Sequence, residues 1–590
     1  MLRTLRTLRH LRPSQLVWRL RYAWRRRRNL RRGTPPDHWI WEGAGSPRVR
    51  RDFPDLPRLE TPGPDGAALT AMLAEGRLEL LSQTAELGLE RPDWRLGARS
   101  SERLWTVTLH YHAWAFSLAE AAADESASAA SRRRAAELFR HYVGDWIRRC
   151  GLERPGSTQL AWNSYAVATR IGSWIRAYRA APERLFAGER GFEELFLRSL
   201  WQQASFLEDH LEWDLGANHL IRDLVGMALA GRFFGGSKAR GWLERATALA
   251  VRHIGAQTLA DGGHYERSPG YHLDVMADLL QLALVVEEEG TRAGLRRSWQ
   301  EMAEWIAWMR HPDGGTAQFN DGAVVAADAV DRALSQGGEL LAANVAAGPR
   351  RGGRHLEATG MVVWHGDRWS IFFDVGEIAA PEQPGHGHAD TLSLECSYAG
   401  RRLIVDPGSF DYDRGRRREY DRGTESHNTV TVDGEDSSEL WQIFRVGRRA
   451  RPVGVRFEID GSEWMATGSH DGFDHLPGRP RHRRTVRLDP RGILEIEDEV
   501  TGRGSHLLQG GLLVEEGWTV AAGETGWRLS NGELVVIVDL EGPAALESFV
   551  EERERHPDYG VEEPASRLGW RWRGELPFRS RVTLAGGDGP

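Results

Sequence analysis

Residues 385–410 read GHGHADTLSLECSYAGRRLIVDPGSF, and residues 425–434 read ESHNTVTVDG. The segment LSLECSYAGRRLIVDPG has the composition of a strand, a glycine-containing turn and a second strand. Similar strand-turn-strand patterns recur before and after it, in MVVWHGDRWSIFFDVG and RRTVRLDPRGILEIEDEV. The C-terminal part of the chain is therefore predicted to be an antiparallel β-sandwich of many strands.

Four side chains of metal-ligand type lie at the edges of these predicted strands. His386 and His388 are two residues apart, Asp406 follows in a VDPG turn, and His427 lies in a Ser-His-Asn triplet. Imidazole and carboxylate groups are ligand types that suit zinc. The pattern indicates a metal site built on the edges of the sheet. The alternative is that these side chains are buried core residues hydrogen bonded to the backbone, with no metal role.

The preceding part of the chain has a different periodicity. From about residue 65 to 345, apolar residues recur at three- and four-residue spacing, which predicts consecutive antiparallel helices in a bundle, toroid or solenoid. The composition changes at GPRRGGRH, a plausible linker. We predict an arm and linker at 1–64, a helical domain at 65–347 and a β domain at 348–590.

The charge is distributed unevenly. Residues 1–32 carry twelve arginines and no acid, whereas the other 558 residues hold 65 basic and 84 acidic ones. Because binding to nucleic-acid phosphates needs a broad basic face, this acidic body excludes a large nucleic-acid-binding surface. A polyanionic ligand would have to bind local arginine clusters instead. The alternative interpretation is that these arginines are solvated surface charge. The clusters are Arg350, Arg351 and Arg354; Arg416, Arg417 and Arg418; Arg481, Arg483 and Arg484. With only two cysteines, no disulfide framework is implied.

The basic N-terminal arm has leucines at positions 2, 5, 8 and 11, which predicts a short amphipathic helix broken at Pro13. Two hypotheses remain for it: docking on the body of the protein, which we favour, or weak contact with an anionic membrane surface. No apolar run reaches the ~18 residues that span a bilayer. The arm lacks the apolar core and cleavage site of a secretory signal, so taken at face value the chain is cytoplasmic.

Three loop-to-helix junctions in the helical half carry polar groups. WDLGANHL contains Asn218, a residue type that often caps helices, and His219. In DGGHYERSPGYH, the Pro-Gly turn makes Tyr271 begin a helix, and we prefer this phenol over Tyr265 as a functional group. The third junction, AQFNDG, holds Asn320 and Asp321 and is interpreted as a turn that could line a site.

These elements together resemble the heparinase II/III-like polysaccharide lyases, a family related to heparinase III and the oligoalginate lyases. The matching stretches cover nearly the whole chain: LRPSQLVWRLRY, WNSYAVATRI, GANHL, DGGHYERSPGYH, HGHAD, VDPG and SHN. The resemblance implies an N-terminal incomplete (α/α) toroid followed by a C-terminal antiparallel β-sandwich. It also implies β-elimination at a uronic acid, with a uronate-containing polysaccharide as substrate and the bacterial cell envelope or periplasm as location.

The resemblance also implies catalytic roles. Asn218, helped by His219, would neutralise the uronate carboxylate as charge develops. Tyr271 would protonate the leaving O4 and, for one C5 epimer, act as the base. His386 would be the base for the other epimer.

Binding and metal roles follow in the same way. Glu266 and Arg267 would bind or orient the sugar. His388, Asp406 and His427 match the family's metal position, where a structural zinc would hold the loop that aims the catalytic histidine.

Three rival functions stay open. A cupin-type metal enzyme would need a glutamate three or four residues after the second histidine, but Glu395 comes after six intervening residues. A glycoside hydrolase would need two facing carboxylates, Glu266 with Asp214 or Asp321. A non-catalytic polysaccharide-binding or exopolysaccharide-assembly protein could keep the same scaffold. For a lyase, the acidic body favours a weakly charged bacterial uronate polysaccharide over a densely sulfated chain.

Overall fold

The structure is a computed structural model that describes residues 2–32, 34–57, 65–97, 103–186, 188–345, 348, 350–460, 463–523 and 525–588. The α-helices are α1 Leu2–Leu8, α2 Pro13–Arg32, α3 Gly66–Ala74, α4 Arg103–Leu109, α5 Ala113–Ala123, α6 Ala129–Arg149, α7 Ser164–Ala180, α8 Pro182–Phe186, α9 Arg190–Asp209, α10 Ala217–Phe233, α11 Ser237–Gln257, α12 Pro269–Val285, α13 Glu289–Trp308, α14 Ala327–Leu341 and α15 Arg416–Arg422. Short 3-10 helices are Asp37–Trp39, Ser157–Gln159 and Thr424–Ser426.

The strands are β1 Arg77–Leu80, β2 Gln83–Glu86, β3 Gly352–Leu356, β4 Met361–His365, β5 Trp369–Asp374, β6 Leu394–Tyr398, β7 Arg401–Ile404, β8 Val430–Val432, β9 Leu440–Trp441, β10 Arg445–Val446, β11 Pro452–Asp460, β12 Glu463–His470, β13 Arg481–Leu488, β14 Ile493–Thr501, β15 Ser505–Val514, β16 Thr519–Ala522, β17 Gly526–Asn531, β18 Leu534–Glu541, β19 Glu547–Arg555, β20 Glu563–Glu575 and β21 Phe578–Asp588.

The helical half is a row of antiparallel helix pairs. α5 packs on α6, α7 on α9, α10 on α11 and α12 on α13, while α5, α7, α10, α12 and α14 contact one another in succession. α10 lies in the middle of this row and approaches α7 closely at Gly226, where a Cβ atom would stand 2.8 Å from the Cα of Ala168. Because the helices of the inner row run the same way, the N-termini of α7, α10 and α12 meet at one end of the domain.

The C-terminal half is built around two large antiparallel sheets, with β9 and β10 as a separate two-stranded sheet. One has the order β11-β12-β13-β14-β21-β18-β17-β16, and the other has the order β19-β20-β15-β7-β6-β5-β4-β3, with β8 also paired to β15. Apolar side chains from both sheets form one buried cluster, including Ile371, Trp464 and Val536. The predicted fold class, an incomplete (α/α) toroid followed by an antiparallel β-sandwich, is confirmed.

Strand β5 joins the two domains because both of its faces are buried. Side chains alternate across a strand, so Ile371 and Phe373 enter the core between the sheets while Phe372 faces the other way. Phe372 belongs to the hydrophobic core of the toroid, together with Met361 and Val363 of β4. The toroid and the sandwich therefore share an apolar interface.

Two elements depart from the predicted pattern. The hairpin β1–β2 lies in the helical half, and its turn residues Leu81 and Ser82 both have positive φ without the Asn-Gly or Asp-Gly pair that would signal such a turn. Helix α15 lies in the β half, in the Arg-rich insert.

The arm, α1 and α2, lies across both domains. Gln15 donates to the carbonyl oxygens of Asp214 at 3.0 Å and Glu382 at 3.4 Å, and Arg6 pairs with Glu439 at 2.8 Å. Docking on the body, the favoured hypothesis, is thus what the structure shows. Among the described helices, none is long and apolar enough to cross a membrane.

We expect Phe372→Ala to lower the free energy of unfolding by about 3–5 kcal/mol, because it opens a cavity where the domains meet. The measurement is chemical denaturation followed by circular dichroism. Val550→Ala, at a side chain that is 47% exposed, is the control and should change little. Equal, small effects of the two substitutions would contradict the shared interface.

Candidate active site

A cavity of about 900 Å³ lies where the N-termini of the inner helices face the sandwich. Its toroid wall includes Asn218, His219 and Tyr271, and its sandwich wall includes His386. The arm adds a third side through residues that include Arg19. The four side chains with predicted catalytic roles therefore line one cavity.

Tyr271 is held at the start of α12 by local sequence. Pro269 occupies the first turn, and Ser268 caps the helix by accepting a hydrogen bond from the Tyr271 backbone N–H at 3.2 Å. The Tyr271 hydroxyl is hydrogen bonded to the Tyr412 hydroxyl and lies 3.2 Å from that of Tyr559. Burial and the neighbouring phenols raise the pKa of Tyr271 well above its usual value, so this phenol carries its proton at neutral pH.

His386 reaches Tyr271 from the opposite domain. The two ring centroids lie 4.3 Å apart. The Nδ1 atom of His386 lies 3.0 Å from the Oδ2 atom of Asp321. When this carboxylate is ionised, the N–H at Nδ1 donates a hydrogen bond to it. Nε2 then carries no proton and is the basic nitrogen of the ring.

Asp321 is fully buried and has four side-chain partners. Its oxygens accept hydrogen bonds from His388 Nε2 at 2.9 Å, Ser409 Oγ at 3.1 Å and Arg418 Nη2 at 2.7 Å, in addition to His386. Burial opposes ionisation, but Arg418 and the histidine hydrogen bonds outweigh it and hold the pKa of Asp321 well below its usual range. The residue that the sequence presented as a turn is therefore an anionic centre.

Asn218 does not cap α10, which corrects the interpretation of this residue as an N-cap. Gly216 occupies the capping position with a φ of 69°, and Asn218 is the second helical residue. Its backbone N–H donates to Glu266 at 3.3 Å, and its side-chain Oδ1 is buried without a protein partner among the described residues. Asn218 also lines the cavity, so a ligand there can reach its side-chain amide.

His219 is next to it and is paired with Glu212 at 2.9 Å. Burial lowers the pKa of His219, but the charges of Glu212, Glu266 and Asp214 outweigh burial and raise it above its usual value. A protonated imidazole here would add positive charge to the cavity wall.

Glu266 and Arg267 are not among the residues that line the cavity. Glu266 is 1% exposed, and burial raises its pKa. Arg267 donates to the backbone carbonyl of Glu377 at 3.0 Å. A sugar-binding role for these two residues stays a prediction.

The three residues of the predicted metal site come together. Ligand atoms of His388, Asp406 and His427 lie within 4.8 Å of one another, and all three side chains are buried. His427 Nδ1 lies 2.8 Å from Asp406, whereas His427 Nε2 and His388 Nδ1 have no partner in the described part of the chain. Two unpartnered imidazole nitrogens beside a carboxylate fit the ligand preferences of zinc.

Sequence reasoning missed three residues of the site. Tyr412 and Tyr559 have hydroxyls 2.5 Å apart and complete a cluster of three phenols with Tyr271. Arg418 comes from an arginine cluster interpreted as a contact for a polyanionic ligand or as solvated surface charge, but it is 2% exposed and pairs with Asp321. Tyr412 could have been found from its position in the SFDYD segment, directly after the VDPG turn that holds a predicted metal ligand. Tyr559 lies far from every motif in sequence, and no sequence signal pointed to it.

Two family models match this chain. The one described as Heparinase II/III N-terminus matches residues 89–346, and the one described as Heparinase II/III-like, C-terminal matches residues 348–575. The chain belongs to the heparinase II/III-like family. The arm at residues 1–32 lies outside both matches.

Individual relatives are distant. The chain is 21% identical to a heparin-sulfate lyase of Bacteroides stercoris, over 70% of this chain and 64% of that protein, and thus spans less than two thirds of its length. It is 24% identical to FtsZ-localized protein C of Caulobacter vibrioides, over 79% of this chain and 76% of that one. The crystal structure of a heparinase III has a TM-score of 0.75 at 17% identity, covering 92% of this chain and 88% of that chain, which supports the fold.

We expect Asp321→Asn to reduce the free energy of unfolding by about 3–5 kcal/mol, because Arg418 would keep a buried charge without its counter-ion. The double variant Asp321→Asn/Arg418→Gln should cost less than the sum of the two single variants. The measurement is a double-mutant cycle by chemical denaturation. Asp367→Asn, in an exposed pair with Arg351, is the control and should have no measurable effect. Strict additivity of the first pair would contradict the coupling.

Proposed function

We propose that this chain is a polysaccharide lyase that cleaves a uronate-containing polysaccharide by β-elimination. The observation that carries the proposal is the meeting of a protonated phenol, Tyr271, with an imidazole, His386, in a cavity that also holds the amide of Asn218. Acid, base and carboxylate-binding groups are what elimination at a uronic acid requires.

In this reaction the base removes the C5 proton, the C4=C5 double bond forms, and the C4–O4 bond breaks as O4 takes a proton. Tyr271 is the proton donor to O4, because its raised pKa keeps the proton in place until the leaving oxygen becomes basic. Tyr412 and Tyr559 hold that hydroxyl in position through their hydrogen bonds.

His386 acts as the base through Nε2, since ionised Asp321 binds the proton on Nδ1. The backbone of His386 is also fixed by the same residue, as the Asp321 backbone N–H donates to the His386 carbonyl at 2.9 Å. For the opposite C5 epimer Tyr271 would act from the other side of the sugar. It would first pass its own proton to the His386 imidazole, and its phenolate would then take the C5 proton and deliver it to O4.

Asn218 and His219 would bind the uronate carboxylate. A donor beside this group lowers the energy of the negative charge that flows into it when C5 loses its proton. The Asn218 amide lines the cavity, and the raised pKa of His219 favours the charged form that an anion attracts.

The hydrolase and cupin alternatives find less support. Glu266 and Asp321, two of the carboxylates that hydrolysis would need, do not line the cavity, and Asp321 is held by Arg418. Glu395, the glutamate considered for a cupin site, is buried against His311 at 2.7 Å. A non-catalytic role has one observation in its favour, because the relative with the greater coverage of this chain is named for co-localisation with FtsZ and not for catalysis.

The substrate class we propose is an anionic polysaccharide that contains uronate. The described lining of the cavity carries eight arginines and four carboxylates, so the cavity is more basic than the acidic body around it. The net charge of the body therefore does not decide how many anionic groups the substrate carries, and sulfated and unsulfated uronates both belong in the test.

We also propose a structural zinc held by His388, Asp406 and His427. Zinc would supply a rigid cross-link between the turns that carry these residues. His388 shares Asp321 with His386, so fixing one imidazole helps to fix the orientation of the other.

Tyr271→Phe is expected to lower the rate by at least about 100-fold, because the proton donor is lost. The measurement is ultraviolet absorbance of the conjugated product during incubation with a panel of uronate polysaccharides, sulfated and unsulfated. Tyr265→Phe is the matched control and should keep most of the activity. New reducing ends without the chromophore would favour a hydrolase, and silence on the whole panel would favour the non-catalytic role.

For the metal, we expect one zinc per chain by elemental mass spectrometry and a lower melting temperature after chelation. His427→Ala should lose the metal, while His355→Ala, outside the site, should keep it. A metal-free preparation with unchanged melting temperature would contradict the zinc proposal and leave the lyase proposal standing.

A further inference from the structure

The outer face of α2 exposes a stripe of apolar side chains. Val17 is 64% exposed, Leu20 74% and Trp24 58%. Their spacing of three and four residues places them on one face of the helix. A folded surface rarely leaves a row of large apolar groups in water without a binding function. We call Val17, Leu20 and Trp24 the arm stripe.

The opposite face of α2 is already occupied by the body of the protein. Tyr22 donates to the carbonyl of Leu211, and the ring of Trp18 stacks on Trp213 with centroids 6.1 Å apart. Gln15 is buried on the same side. Docking therefore accounts for one face of the helix and leaves the arm stripe unexplained.

The charge around the stripe is entirely positive within the arm. The arm has no acidic residue, and exposed arginines flank the stripe at positions 21, 27 and 31. The guanidinium of Arg28 stacks over the ring of Trp24 at 4.7 Å. Tryptophan and aliphatic side chains bordered by arginines are the composition of helices that lie in the headgroup region of an anionic bilayer.

We propose that the outer face of α2 binds the surface of a membrane that contains anionic lipids, with the arm stripe inserted among the headgroups. A polysaccharide or nucleic acid would use the arginines but would leave Val17 and Leu20 without a partner. An anionic lipid surface offers negative headgroups to the arginines and an apolar layer to the arm stripe. The two hypotheses for the arm are thus compatible, because docking and membrane contact use opposite sides of one helix.

This arrangement would place the cavity close to the membrane. Arg19, on the inner side of α2, lines the cavity. The cavity wall would then lie about one helix diameter, ~10 Å, from the plane of the stripe. The protein would act on, or bind, saccharide chains held near the membrane surface, whichever proposed function holds.

The test is co-sedimentation of the full chain with vesicles of phosphatidylcholine alone or mixed with phosphatidylglycerol. We expect binding to the mixed vesicles, weaker binding at high salt, and about tenfold or greater loss of binding in Leu20→Ser/Trp24→Ser. The control is Ile459→Ser/Val550→Ser, which removes apolar groups 45% and 47% exposed on the sandwich and should bind normally. Both variants should keep the melting temperature of the unmodified chain.

Two results would overturn the proposal. Absence of binding to either vesicle would do so, and so would equal binding of the chain and Leu20→Ser/Trp24→Ser, since charge alone would then explain it. Self-association that disappears in Leu20→Ser/Trp24→Ser, without vesicle binding, would instead identify the face as a contact between copies. Vesicle binding and lyase activity are measured separately, so failure of one leaves the other standing.

Discussion

The ion pair between Asp321 and Arg418 is the interaction on which the site depends. A buried carboxylate is costly unless it is neutralised and hydrogen bonded, and here a guanidinium, two imidazoles and a hydroxyl do both. Asp321 belongs to the chain segment that follows the toroid helix α13, whereas its partners belong to the sandwich half. The same carboxylate thus ties the domains together and sets the orientation of His386.

The cavity takes its chemistry from the ends of secondary-structure elements. The N-termini of the inner helices bring Asn218 and Tyr271 to one end of the toroid, and the loop before β6 brings His386 to meet them. Neither domain holds the full set. The apolar contact of Phe372 with the toroid core holds the two halves together, and the phenol and the imidazole come from opposite halves.

Periodicity was enough to predict a helical half followed by a β-sandwich, because helices and strands repeat with different spacing and the change falls at one glycine-rich segment. The choice of a toroid over a bundle or solenoid came from the family resemblance. The site was predicted less completely. Tyr271, His386 and Asn218 have local motifs, but the hydrogen bonds of Asp321 join segments far apart in sequence. Arg418 could not be distinguished from neighbouring exposed arginines, since only the tertiary fold buries one of the three. Gly216 took the cap position expected of Asn218 because the turn requires positive φ.

The most direct test of the account is digestion of a uronate polysaccharide in water enriched in oxygen-18, with mass spectrometry of the products. Elimination breaks the C4–O4 bond without adding water, so the account predicts unsaturated products without the heavy isotope at the new ends. Saturated products that carry oxygen-18 would show hydrolysis and contradict the proposed roles of Tyr271 as acid and His386 as base.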